Sequence, residues 1–242
     1  MSWVQSKASL SRLAIAALLV TGVATAAANV IVIRSTGPSA KSYPPGRSLP
    51  DNARINLQAS DTVVVLANGA TRTFRGPGNF SPSAAVQVGG TRSVTTASGR
   101  QARIGAVRNA GLVPRSPTIW HVDASQSGTF CLATTSEVNL WRPDASQTAS
   151  LTITGPGGES QTVDWPAGQA VLPWPASVGI ANNGEYRLRQ AGVAVPTRIT
   201  FKTLSTQPGD IQAVAQALIA NDCQEQLNVL VETTAEESTP QG

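Results

Sequence analysis

Hydrophobic and polar residues alternate over short distances along most of the chain, and turn residues interrupt the pattern repeatedly. In the first third, runs rich in β-branched residues lie at positions 30–34, 53–57 and 62–66. Runs of this length and composition predict strands. Glycine and proline pairs such as Gly76-Pro77-Gly78 predict the turns between them, here a hairpin turn. We therefore expect a small β domain at residues 29–111.

A second set of short apolar runs predicts another β domain. Its eight members lie at 118–122, 128–133, 137–142, 150–154, 160–163, 170–172, 184–190 and 197–204. Eight strands at this spacing predict an immunoglobulin-like β-sandwich at residues 118–205. The stretch at 155–158 is predicted to be a hairpin turn, and the prolines of residues 112–117 predict a linker. Charged residues make up 13% of the chain, which also favours sheets over long amphipathic helices.

The pattern changes after Asp210, where apolar residues recur at steps of three and four. These residues are Ile211, Val214, Ala215, Leu218, Ile219 and Cys223. Their spacing predicts a helical segment over residues 206–232 with Asp210 as its N-cap and a break at Asn221-Asp222. Residues 233–242 carry Glu236, Glu237 and Pro240 and are predicted to be a disordered tail.

The first 28 residues have the three parts of a secretory signal peptide. Lys7 and Arg12 precede an apolar run at 13–23, and small residues follow at 24–28. The run is shorter than the roughly 20 residues that span a bilayer. We therefore expect cleavage near Ala26 or Ala28 and a periplasmic or secreted protein that is not an integral membrane protein. Retention of this segment as an anchor is the alternative.

Cys131 and Cys223 are the two cysteines of the chain. In an exported protein the simplest expectation is a disulfide between them, because the compartment is oxidising. Such a bond would tie the C-terminal helix to the sandwich. Two buried free thiols are the alternative interpretation.

Charge is divided unevenly between the two predicted domains. Residues 29–117 carry 11 basic and two acidic side chains, whereas residues 118–242 carry five basic and 12 acidic ones. Candidate binding residues are the arginines of the acid-free stretch after Thr62, namely Arg72, Arg75, Arg92, Arg100, Arg103 and Arg108. A surface of this kind attracts anions. An envelope protein, or an anionic glycan or lipid, is expected as the partner rather than nucleic acid. The alternative is that the basic domain packs against the acidic one within the protein.

Four tryptophans, Trp120, Trp141, Trp165 and Trp174, fall in the second domain. Packing in the core needs no ligand, but exposed indoles can stack on sugars. Trp165 and Trp174, each followed by proline, are the best candidates for an exposed aromatic ledge and are added to the candidate binding residues.

Candidate catalytic chemistry is sparse in the sequence. His121 is the single histidine, with Asp123 on the same predicted strand face and Ser125 and Ser127 nearby. A serine hydrolase presents its nucleophile on a sharp turn, and the chain has no Gly-x-Ser-x-Gly. A strand-edge histidine is the preferred interpretation, so we expect no enzyme activity, no metal site and no cofactor; a hydrolase using His121 is a minor alternative.

One segment resembles a known family. Ser60-Asp61 leads into the strand 62–66, Asn68-Gly69 follows, and a second strand ends at Gly76-Pro77-Gly78. This order resembles the FecR-type periplasmic β domain, with Ser60 in place of the usual glycine. The resemblance implies a periplasmic module that contacts other proteins. We therefore expect a non-enzymatic interaction or sensory-accessory protein of envelope signalling, with an anionic glycan- or lipid-binding module as the alternative.

Overall fold

The computed structural model describes residues 30–82 and 116–235. Residues 30–82, here the first unit, contain β1 (Val30–Thr36), β2 (Ser48–Leu49), β3 (Ile55–Leu57), β4 (Thr62–Ala67), β5 (Ala70–Arg75) and β6 (Gly78–Phe80). Four strands form an antiparallel sheet in the order β2-β1-β4-β5, and β3 pairs with β6. A 3-10 turn at Pro38–Ser42 follows β1.

Both faces of the four-stranded sheet are buried, as the uninterrupted apolar runs in β1 and β4 require. Successive residues of a strand point to opposite faces, so an all-apolar strand needs a cover on each side. Val30, Val32, Val63 and Val65 pack with residues of β3. The alternating residues pack against the C-terminal part of the chain, and these are Ile31, Ile33, Val64 and Leu66.

The second part of the chain is a β-sandwich. Its strands are β7 (His121–Asp123), β8 (Gly128–Leu132), β9 (Asn139–Trp141), β10 (Ala149–Thr154), β11 (Ser160–Trp165), β12 (Val171–Pro173), β13 (Glu185–Gln190) and β14 (Thr197–Thr203). They form a five-stranded sheet, β11-β10-β13-β14-β8, and a three-stranded sheet, β12-β9-β7. All eight fall within or beside the eight predicted runs, and the prediction of a mainly β fold with a sandwich is confirmed.

The two sheets of the sandwich share one core. Val122 and Leu140 come from the small sheet, and Leu151, Leu188 and Ile199 from the large one. The hydroxyl of Tyr186, at the start of β13, donates to the carbonyl of Gly179 at 2.8 Å and accepts from the amide of Ala181 at 2.7 Å. This is the arrangement of the tyrosine corner found in immunoglobulin-like sandwiches.

Two helices follow the sandwich, α1 (Ile211–Ala220) and α2 (Gln224–Thr233). The side chain of Asp210 accepts from the amide of Ala213 at 2.8 Å, so the predicted N-cap is confirmed. The predicted break is also present, because Asp222, between α1 and α2, has a φ of 57°, which a continuous α-helix does not allow. Leu218, Leu227 and Leu230 of these helices cover the open face of the first sheet. This contact was not predicted from the sequence.

Covalent and polar links fix α2 to the sandwich. Cys131 in β8 forms the expected disulfide with Cys223, over a sequence separation of 92 residues. Beside it, the Gln226 carboxamide accepts from the amide of Cys131 at 2.6 Å and donates to its carbonyl at 2.9 Å. The same group also donates to the carbonyl of Ile119 at 2.8 Å. The helix pair therefore lies between the two β units and joins them.

Two local predictions were wrong. Gly76-Pro77-Gly78 does not close a hairpin, because β5 belongs to the four-stranded sheet whereas β6 pairs with β3. The stretch at 155–158 does close one, between β10 and β11. The tail was predicted to begin at residue 233, but Thr233 ends α2 and Ala235 bridges to Thr71, since the amide of Thr71 donates to the carbonyl of Thr234.

Several predictions lie outside the described residues. They concern the signal peptide at 1–28, most of the linker at 112–117 and the end of the tail from residue 236. Within the two described ranges, no helix is both long enough and apolar enough to cross a membrane.

Candidate functional site

One end of the first sheet is organised around a buried carboxylate. Asp61, 1% exposed, precedes β4. Its two oxygens accept from the amides of Ser39 at 2.9 Å and Gln58 at 2.5 Å, while its carbonyl accepts from the amide of Gly76 at 3.0 Å. One residue therefore fixes the 3-10 turn, the turn before β4 and the end of β5.

The surroundings of Asp61 favour its charged form. Burial on its own would raise the pKa of Asp61, but the hydrogen bonds from Ser39 and Gln58 outweigh it and hold the pKa below the ordinary value of 3.8. The fit is close, because a Cβ at Gly37 would lie 2.5 Å from the carboxylate, and Gly37 has a φ of 94°. Ser60 also has a positive φ, 70°, the conformation that glycine adopts most readily.

We call four exposed cations the basic end, namely Arg34 in β1, Lys41 in the 3-10 turn, Arg47, whose guanidinium reaches that turn, and Arg75 at the end of β5. A register shift after Val32 places Arg34 opposite Val64, on the helix-covered face, and its guanidinium donates to Asn228 of α2. The guanidinium of Arg47 donates to the carbonyl of Ser42, next to Lys41. Of these four, only Arg75 was among the predicted binding residues, because the other three lie outside the acid-free stretch.

The predicted arginines do not form one patch. Arg72 lies opposite Val65 and Arg75 opposite Thr62, so their side chains leave β5 on opposite faces. Arg72 donates to the carbonyl of Pro82 at 2.9 Å, whereas Arg75 is exposed. The other four predicted arginines, Arg92, Arg100, Arg103 and Arg108, lie outside the described residues.

Apolar packing, rather than charge, joins the two β units. The interface contains Ile31, Leu66, Leu218 and Leu227, together with the disulfide. Near its rim, the Thr71 hydroxyl donates to the carbonyl of Val231 at 2.8 Å. The cations of the basic end stay exposed beside this contact, although the Arg34 guanidinium donates to Asn228 of α2.

A second candidate site is an open groove of 560 Å³ at one end of the sandwich, here the Trp174 groove. Its walls are Glu137 in the loop before β9, Asn139 at the start of β9, and the segment from Pro173 to Ile180. A hollow of 210 Å³ shares Glu137 and Val138 with it and is lined by Trp120 and Gln207. No lysine or arginine of the described residues lines either space. Glu137 and Trp120 were not among the predicted site residues.

The side chain of Trp174 is held in place from several directions. Its indole N–H donates to the carbonyl of Val178 at 2.7 Å, and its ring makes edge contacts with Tyr186 and Phe201, at centroid distances of 5.3 and 5.1 Å. Its backbone amide donates to the carbonyl of Val138 at 2.9 Å, next to the pairing of β12 with β9. The groove is therefore preformed, as ligand sites usually are.

The predicted ledge of two tryptophans is wrong. Trp165 is 2% exposed and belongs to the sandwich core, so no ligand can stack on it. The guanidinium of Arg142 lies 4.9 Å from its ring and donates to the carbonyls of Trp165, Pro166 and Gln169. This packing arises because the indole at the end of β11 turns inward. Trp174 alone of the pair reaches the surface.

His121 is not assembled into a catalytic triad. Its Nδ1 lies 2.7 Å from the Thr118 hydroxyl, and partial burial lowers the pKa of His121. Asp123 accepts from the hydroxyl and the amide of Ser125 instead, and the Ser127 hydroxyl accepts from the amide of Arg198. Within residues 30–82 and 116–235, no three His, Cys, Asp or Glu side chains form a metal-binding group.

No protein-family model, curated protein or solved structure matches the chain. The basic end and the Trp174 groove are therefore the two features of the molecule that indicate a function.

Proposed function

We propose that the protein is a non-enzymatic, exported interaction module that acts as a sensory-accessory component of envelope signalling. In this proposal the basic end of the first unit docks an acidic surface of an envelope protein. Its four cations are exposed, whereas Asp61, which precedes β4, is buried and accepts hydrogen bonds from the amides of Ser39 and Gln58. This contrast is the observation that carries the proposal, because a surface with exposed charges of one sign attracts partners of the other.

The rest of the first unit supports the same role. Both faces of its sheet are already used for internal packing, so the surface left for a partner is polar and cationic. The helices, the disulfide and Gln226 hold this surface in a fixed position relative to the sandwich. A fixed surface loses less entropy when a partner binds.

A resemblance of this segment to FecR-type periplasmic domains adds a further argument. The glycine usual before the aspartate is replaced by Ser60, whose positive φ is compatible with a glycine position. Membership of that family, location in the periplasm and the signalling role all belong to the proposal.

Binding of an anionic envelope glycan or lipid is the second candidate, because the same four cations can contact phosphates or carboxylates. In this alternative the binding relies on these four cations, since the Trp174 groove contains no basic side chain of the described residues. Such binding would be dominated by charge and would weaken steeply with salt.

The test is a cross-linked pull-down from the native envelope fraction at low and high salt, with proteins and glycolipids both identified. The bait is the mature protein, and the variant carries Lys41→Glu and Arg75→Glu. We expect a discrete protein that survives high salt with the parent and is lost with the variant. The matched control, Arg189→Glu with Arg198→Glu, makes the same charge change on the sandwich and should retain the partner.

Other outcomes separate the candidates. Recovery of glycolipid alone, only at low salt, would replace docking with the second candidate. Equal loss of the partner with both variants would mean that total charge, and not the basic end, governs the interaction. A partner captured equally by all three proteins would contradict the proposal.

A further inference from the structure

The Trp174 groove offers a mixture of hydrogen-bond donors and acceptors that no internal contact uses. Within the described residues, the carboxylate of Glu137 and the carboxamides of Asn139 and Gln207 have no hydrogen-bond or ion-pair partner. They lie along the groove and its adjoining hollow. Amide N–H groups donate, and carboxylate and amide oxygens accept. Groups of both kinds suit a ligand whose own groups both donate and accept, as hydroxyls do.

Two indoles accompany these polar groups. Trp174 lines the groove and Trp120 lines the adjoining hollow, Glu137 lines both, and both tryptophans are partly exposed. Indoles provide rigid apolar surface with little loss of conformational entropy on binding. The C–H face of a sugar ring is apolar, whereas its edge carries hydroxyls. An alternation of indoles and small polar groups therefore matches a chain of sugar rings.

The charge of the groove decides between classes of sugar. The described residues that line it include one carboxylate, Glu137, and no cation. A phosphorylated or carboxylated glycan would be repelled by this carboxylate and would find no counter-charge in the groove. The volume of 560 Å³ lies within the range of about 300–1,000 Å³ that is usual for small-ligand sites.

We propose that the Trp174 groove binds an uncharged oligosaccharide, with one sugar ring stacked on Trp174, a second on Trp120 and Glu137 accepting hydrogen bonds from hydroxyls between them. This site lies on the sandwich and is independent of the basic end, so either proposal can fail without the other.

The test uses an array of defined uncharged oligosaccharides of increasing length, together with arrays of acidic glycans and of lysine- and arginine-containing peptides. Hits are measured by titration, following tryptophan fluorescence. We expect binding to an uncharged oligosaccharide that changes less than twofold between about 0.05 M and about 0.5 M NaCl, since neutral ligands are not screened. Trp120→Ala and Glu137→Ala should each weaken it by about tenfold or more.

Asp164→Ala is the matched control, because it removes an exposed carboxylate from β11 outside the groove and should leave the affinity unchanged. Glu137 is exposed, so Glu137→Ala tests the site even if a tryptophan variant does not fold. The proposal is overturned if no uncharged oligosaccharide binds at millimolar concentration, or if Glu137→Ala and Trp120→Ala bind as well as the parent. Salt-sensitive binding of cationic peptides alone would also overturn it and assign the groove to a protein ligand.

Discussion

The carboxamide of Gln226 offers the sharpest test of how the two β units are held together. It is 2% exposed and makes three hydrogen bonds to the backbone of β8 and of Ile119. In Gln226→Met a side chain of similar size and no hydrogen-bonding capacity replaces it. The amide and carbonyl of Cys131 and the carbonyl of Ile119 then lose their side-chain partner in a buried place.

The magnitude follows from these three backbone groups. A buried group left without its hydrogen bond destabilises the fold by about 1–3 kcal/mol. Partial rearrangement and water entry reduce the sum, so we expect Gln226→Met to lower the free energy of unfolding by about 3–5 kcal/mol. The assay is urea unfolding with the disulfide intact, together with hydrogen exchange at the Cys131 amide, which should become faster.

Gln226→Glu refines the test. A carboxylate can still accept from the amide of Cys131. Its other oxygen, however, faces the carbonyl oxygens of Cys131 and Ile119, to which the carboxamide donates, and is repelled by them. In acid the neutral carboxyl group can donate one hydrogen, so the difference in stability between Gln226→Glu and Gln226→Met should favour the glutamate variant more strongly as the pH falls. Comparison of the two variants cancels the acid sensitivity of the rest of the protein.

The matched control lies on the same helix. Gln224 is exposed and donates to Asp222 at 3.1 Å, so Gln224→Met should change stability by less than about 0.5 kcal/mol. A loss below about 1 kcal/mol for Gln226→Met, with unchanged exchange at Cys131, would refute the reasoning, because unsatisfied buried groups should cost more than this.

Two further predictions concern the disulfide and the basic end. Replacing Cys131 and Cys223 together by alanine frees a loop of 92 positions and should lower the free energy of unfolding by about 4–5 kcal/mol in the chain-entropy model, measured as a lower urea midpoint against the oxidised parent. Because the pKa of Asp61 is lower in the fold than its ordinary value of 3.8, its contribution to stability is complete above that value and is lost as the pH falls through the folded pKa. Asp61→Asn should therefore have a lower free energy of unfolding than the parent at neutral pH, and this difference between the two proteins should shrink as the pH falls. A difference that stays constant across about pH 2–7 would contradict this.

Local patterns were sufficient to locate most of the elements. The short apolar runs identified the strands of the sandwich, and the spacing from Ile211 to Leu218 after Asp210 identified the first helix. Elements of this kind depend on neighbouring residues, so their signals are local. The turn at 76–78 was misjudged because its local signal is the same whether the flanking strands pair with each other or with others.

The packing of α1 and α2 on the first sheet could not be predicted in the same way. The apolar runs of β1 and β4 do indicate that both faces need a cover, but nothing near Ile31 or Leu66 specifies a helix so far along the chain. For the candidate sites, the uneven distribution of charge in the sequence identified the first unit as basic. Loop geometry determines how the 3-10 turn with Lys41 is held by Asp61, and it places Glu137 in the lining of both spaces that contain the two tryptophans.

The position of the helix pair at the end of the chain has a consequence for folding kinetics. Thr71 contacts Val231, 160 residues away, and Arg34 contacts Asn228, 194 residues away. Contacts this distant in sequence raise the contact order and slow folding. A chain that emerges N-terminus first leaves Ile31, Ile33 and their neighbours bare until α2 has been synthesised. During that interval an apolar sheet face is exposed to other chains and can aggregate. Protection must then come from chaperones that bind the nascent protein.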